Sequence, residues 1–145
     1  MSALPAGSNV YGLDFPPSQY DQDWTPISDI AETAYTVGTP EVAVSATAPS
    51  SGKLFVCIGC GLRNNAATAE SVFVTFQVFE DSPDGALYQA ANGDLGVRSS
   101  GIAQSQEFQY HGNMSLITGL EPGRSYYFQV VHKTDLGNAT GDIAS

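Results

Sequence analysis

Residues 35–62 read YTVGTPEVAVSATAPSSGKLFVCIGCGL, and the fold class follows from this stretch. Val42, Val44 and Ala46 recur at every second position, the spacing of one face of a half-buried strand. Pro49, Ser50, Ser51 and Gly52 then supply turn chemistry. The run from Lys53 to Leu62 is nearly continuous apolar, the pattern expected of a strand covered on both faces. Gly59 and Gly61 within it suggest a bulge or a close neighbouring backbone.

The same alternation continues downstream. Over 71–79, Val72, Val74, Phe76 and Val78 share one face, and Phe73, Thr75, Gln77 and Phe79 the other. EDSPDG at 80–85 is a turn rich in Asp and Pro, followed by short runs at 86–91 and 95–98. A strand is expected at 107–111 with a turn at Gly112-Asn113. After 114–120 comes a Pro-Gly turn at 121–124, and SYYFQVVHK at 125–133 is the last strong strand. Strong turn signals at short intervals and no amphipathic helical period predict an all-β fold, an antiparallel β-sandwich over residues 33–145. Polar loops at 63–68 and 80–98 are expected to face outward.

Residues 1–32 read differently. They carry Pro5, Pro16, Pro17 and Pro26, spaced aromatics, and four aspartates. The Phe-Pro-Pro step holds the backbone extended. Two readings are open: a segment folded back over its own domain with Trp24 plugging the sandwich, or an arm lying on a neighbouring subunit. On the second, the anchoring residues are Tyr11, Phe15, Pro16, Pro17, Tyr20 and Trp24.

The 145 residues suit one domain, and 42% hydrophobic against 14% charged residues excludes a disordered chain. Fifteen acidic and five basic residues give a net charge of −10, which repels phosphate backbones and anionic bilayers. Neither nucleic acid nor membrane is an expected partner. The opening MSALPAGSNVYG has no basic and apolar leader pattern, so synthesis in a cytoplasm is expected, and the acceptor patterns at Asn113 and Asn138 are read as coincidental.

Candidates for chemistry are few. Cys57 and Cys60 are spaced C-x-x-C, but in a strand such a pair points to opposite faces, so both are read as buried apolar thiols. His111 and His132 have no ligand spacing. Glu80, Asp81, Asp84 and Asp94 could surround a calcium ion, but the loop lacks the twelve-residue pattern and is read as solvated. No nucleophile has a base and an orienting group nearby, so no enzyme, metal or cofactor is expected.

Two long segments, YTVGTPEVAVSATAPSSGKLFVCIGCGLRNNA and MSLITGLEPGRSYYFQVVHKT, are preceded by DFPPSQY. Together they resemble small virion proteins of tailed phages that infect actinobacteria, of the minor-tail and capsid-surface decoration kind. The resemblance implies a jelly-roll-like sandwich on the virion exterior. It also implies assembly as a homotrimer and other virion proteins, such as major capsid or tail proteins, as partners. It implies a further apolar closing strand after GDIAS, so here either the last strand is short or a sheet edge is left open. Leu120, Pro122, Gly123 and Tyr126 also resemble the run into the sixth strand of fibronectin type III domains, which would make the chain a spacer with Tyr126 as a tyrosine corner. A third expectation is a carbohydrate-binding module for host adsorption, stacking sugars on Tyr88 or Tyr110.

Overall fold

The computed structural model describes residues 18–64, 69–102, 107–135 and 141–144. Among these residues, ten strands form an antiparallel β-sandwich. They are β1 (Ile27–Ile30), β2 (Thr36–Val37), β3 (Ala43–Thr47), β4 (Lys53–Asn64), β5 (Glu70–Glu80), β6 (Leu87–Gln89), β7 (Val97–Ile102), β8 (Gln109–Thr118), β9 (Ser125–Thr134) and β10 (Gly141–Ala144). One sheet has the order β1-β10-β4-β8. In the other, β9 and β5 lie at the centre, β2 and β3 pair with β9, and β6 and β7 pair with β5.

β2 and β3 lie end to end beside β9, and β6 and β7 end to end beside β5. Each pair therefore acts as one broken strand. Counted this way there are eight strands, and the pairing nests: first with eighth, second with seventh, third with sixth, fourth with fifth. In an immunoglobulin-type sandwich the first and last strands lie in different sheets. Here Ile27 of β1 stands opposite Ile143 of β10.

The core forms where the inward faces meet. Val72, Val74, Phe76 and Val78 of β5 are all buried, as their alternation predicts. At one end Val72 and Val74 pack with Ile30, Cys60, Leu62 and Val97. At the other, Phe76 and Val78 pack with Ala48, Ile117, Leu120, Tyr126 and Phe128. The turn between β3 and β4 needs its glycine: Gly52 has φ +63°, and a Cβ there would lie 2.6 Å from the Leu120 carbonyl oxygen.

Several expectations change. β1 falls within the 1–32 segment expected as an arm, yet Ile30 is buried in the core, so the sandwich takes in residues before Thr33. Gly112-Asn113 is not a turn. β8 runs straight through it, because Gly59 and Ile58 of β4 continue the ladder opposite those two residues. Nor is β4 covered on both faces. Leu54, Val56 and Ile58 turn inward, while Phe55, Cys57 and Gly59 face solvent.

Candidate interaction surface

The two outward faces of the sandwich differ in chemistry. On the outside of the second sheet, Tyr127 Oη and Gln129 Nε2 donate to Glu41 Oε1 at 2.6 and 2.7 Å. Gln77 Nε2 in turn donates to Gln129 Oε1 at 2.7 Å. These bonds hold the Glu41 carboxyl below its ordinary range, and the bond to Glu41 pushes the Tyr127 phenol up to about 12. Lys133 lies over the rings of Tyr35 and Phe73 on the same side. Tyr127, Gln129, Gln77 and Glu41 thus form a polar network on this face, beside Phe73 and the buried Thr75 and Val131.

On the first sheet, the outward side of β4 and β8 is apolar. Register places Phe55 beside Leu116, Cys57 beside Met114, Gly59 beside Gly112 and Gly61 beside Tyr110. Phe55 is 68% exposed, Met114 63%, Leu116 47% and Tyr110 72%, and Cys57 is exposed with them. The charged residues on these two strands, Lys53 and Arg63, sit toward the ends of β4, and no acidic side chain interrupts the stripe between them. In a chain of net charge −10 this is the surface with least repulsion toward a copy of itself. Its exposed side chains amount to roughly 500 Å², within the range of functional patches on small proteins.

The Gly59–Gly112 pair sharpens this picture. Neither residue has a positive φ, and a Cβ on either would meet only a facing carbonyl oxygen at 3.6 Å, an ordinary contact. The fold does not require glycine at these positions. Their effect is on the surface: a notch of bare backbone between the Cys57–Met114 row and Tyr110, where another backbone can approach closely.

No protein-family model matches the chain, and no curated protein matches it in sequence. The surface is therefore read from its own chemistry.

Of the six expected anchoring residues, Tyr11, Phe15, Pro16 and Pro17 lie outside the described residues. Tyr20 and Trp24 are described and are 84% and 66% exposed, so Trp24 does not plug the sandwich. Asp21 fixes the root of this segment, accepting at Oδ2 from the Ala43 N–H at 3.0 Å.

The other sequence candidates sort out by position. Cys57 and Cys60 do face opposite ways, but only Cys60 is buried; Cys57 belongs to the exposed stripe. Cys60 and His132 line the same small cavity of about 220 Å³. Burial pushes the Cys60 thiol up to about 12 and lowers the His132 imidazole, with Glu32 opposing the latter. Both are neutral near pH 7, so this thiol is not an activated nucleophile. Glu80 and Asp81 face Arg124 rather than a shared ion site, with Nη2 3.0 and 2.8 Å from their carboxylates. Tyr88 packs edge-on against Tyr126 and donates to the Thr118 carbonyl at 3.0 Å, whereas Tyr110 is open. Tyr126 does form a tyrosine corner, its Oη accepting from the Glu121 N–H at 2.9 Å. The corner is thus a local device inside a sandwich whose first and last strands pair.

Sequence reasoning placed no partner surface on β4 and β8. The signal was present in the odd-numbered apolar residues of 53–60, but it was absorbed into the expectation of a doubly covered strand.

Proposed function

We propose that the chain is a non-enzymatic structural component of the exterior of a tailed-phage virion, a capsid decoration or minor tail protein that assembles as a homotrimer. One observation carries the assembly reading. The outward side of the paired strands β4 and β8 exposes Phe55, Cys57, Met114 and Leu116 with no acidic residue on either strand, whereas the outer side of the opposite sheet carries the hydrogen-bonded Tyr127, Gln129 and Gln77. A single solvated domain gains nothing from the first arrangement; a domain that packs on copies of itself does. The nested strand pairing supports a jelly-roll winding, a fold that serves capsid surfaces and lectins alike. The neutral Cys60 and His132 pair supports a role without chemistry.

Native mass spectrometry of the full chain tests self-assembly. A trimer that is lost in Met114→Asp with the melting temperature retained supports it. A monomer across the micromolar range opposes it. Detection of the chain at high copy number in purified particles tests the virion reading separately. The open ring of Tyr110 favours a second reading, sugar stacking in host adsorption. Glycan-array binding lost in Tyr110→Ala would favour that reading over assembly.

A further inference from the structure

The two sheets are not equally wide along their length. The second sheet is four strands across at both ends, since β3 continues the line of β2 and β6 that of β7. The first sheet is four across at one end only. There β10 pairs with residues 61–64 of β4, and β1 lies outside it. Over residues 53–60, β4 has a ladder partner only on its β8 side among the described residues. β3 likewise pairs with β9 alone.

These two open edges flank a cleft of about 730 Å³. Its walls are the inward residues Val44 and Ala46 of β3 and Leu54, Val56 and Ile58 of β4, with Phe128 among the residues behind them. All five wall residues pack against the core yet remain only partly buried. The site thus offers what an added strand needs: backbone N–H and C=O groups along an edge, and an apolar trough for alternate side chains.

We propose that this cleft is a strand acceptor and that its occupant is residues 10–15 of a second copy of the chain, a step that rests on the self-assembly reading above. The segment VYGLDF places Tyr11, Leu13 and Phe15 at alternate positions, with Gly12 and Asp14 between them. As an extended strand it would present three large apolar side chains to the trough and its one acid to the other side.

The course of the chain selects a second copy over the chain's own cleft. β1 and β4 are both antiparallel to β10, so β1 runs parallel to β4. Traced back from Ile27, the chain follows β4 toward Lys53, and Ser18, Gln19, Tyr20 and Asp21 already lie along the cleft. They do not fill it, since Tyr20 remains open to solvent. To return into its own cleft the chain would have to reverse at Pro16-Pro17, a step whose fixed φ and missing N–H favour an extended backbone. With that step extended, residues 10–15 would reach about 10–26 Å beyond Ser18 at the rise of a strand, far enough to enter a neighbour's cleft rather than their own.

The test uses the full chain with Phe15→p-benzoylphenylalanine, prepared in light and isotopically heavy forms, mixed, and irradiated. Crosslinked peptides are mapped by mass spectrometry, and oligomeric mass is recorded on the same mixture. The expected result is mixed-isotope crosslinks onto residues 42–46 and 53–58, lost when the acceptor chain carries Val56→Asp. Crosslinks onto those segments within one isotope only would mean that each chain fills its own cleft, and would overturn the proposal. Mixed-isotope crosslinks that map instead to the outward face of β8 would also overturn it while leaving self-assembly standing. A monomer without mixed-isotope products would remove both.

Discussion

Replacing Leu116 by aspartate separates assembly from folding. In the isolated chain Leu116 points outward and is 47% exposed, so its removal creates no core cavity. Aspartate in a strand lowers the stability of the single chain by at most about 1 kcal/mol. In an assembly that covers the stripe, the balance is different. Burying the exposed half of a leucine contributes about 1 kcal/mol per copy, given roughly 1.5–3 kcal/mol for a full side chain. A carboxylate pressed into the apolar row of Phe55, Cys57 and Met114 adds a desolvation penalty of several kcal/mol. Leu116→Ala is therefore expected to weaken association about fivefold, and Leu116→Asp at least about a hundredfold, at 1.4 kcal/mol per decade. Sedimentation velocity over a dilution series gives both constants, and urea melts below the dissociation constant report the single chain. If Leu116→Asp associates within threefold of the parent, the β4–β8 face is not the contact. If it fails to fold, the side chain is not the outward residue described here.

Other outcomes follow from single contacts. Tyr126→Phe removes the acceptor of the Glu121 N–H inside the corner and is expected to destabilise the domain by about 1–2 kcal/mol in urea unfolding; an unchanged midpoint would mean the corner contributes nothing. Thiol labelling under native conditions should modify Cys57 quickly and Cys60 only on unfolding, and equal rates would contradict the placement of Cys60 in the core. Tyr127 has a folded pKa raised to about 12, so its bond to Glu41 contributes fully below pH 10 and is lost as pH rises from 10 toward 12. Ultraviolet titrations should show a late-ionising tyrosine that is lost in Tyr127→Phe, while Tyr35, also raised by its burial, is unchanged between the two. The Glu41 carboxyl is lowered by the same bonds, so its contribution is lost only as pH falls below the ordinary carboxylate range, and Glu41→Gln should remove that acid-side dependence from the melts.

Much of the fold was legible because alternation is a direct record of burial. Val72, Val74, Phe76 and Val78 read as an inward face and are one. The Pro-Ser-Ser-Gly and Pro-Gly segments read as turns, and both are. Elements that depend on distant partners were not legible. β1 is four residues with a polar middle, Ser28 and Asp29, and only pairing with β10, more than a hundred residues away, makes it a strand. Gly112-Asn113 has turn chemistry, and only its partner strand overrides it. The interaction face was hidden for a different reason. Hydropathy marks Phe55 and Cys57 as apolar but cannot say whether a layer of the same molecule covers them, and none does among the described residues. Trp24 shows the converse, an aromatic read as a plug that stays 66% exposed.

Pairing the first strand with the last also governs when this protein becomes competent. Ile27 emerges from the ribosome long before Ile143, its partner across the ladder. At about 5–20 residues per second the wait is of the order of ten seconds. Until β10 arrives, β1 lacks its ladder partner, although the residues that Ile30 packs on, from Cys60 to Val97, are already made, so partly made chains lack the finished first sheet. The late closure acts as a completion signal. On the self-assembly reading, neighbouring chains on one message would meet as unfinished sandwiches, and ordered packing would begin only among those whose synthesis has reached β10. A high separation between paired residues, which slows folding, would then also set the order in which making and assembling occur.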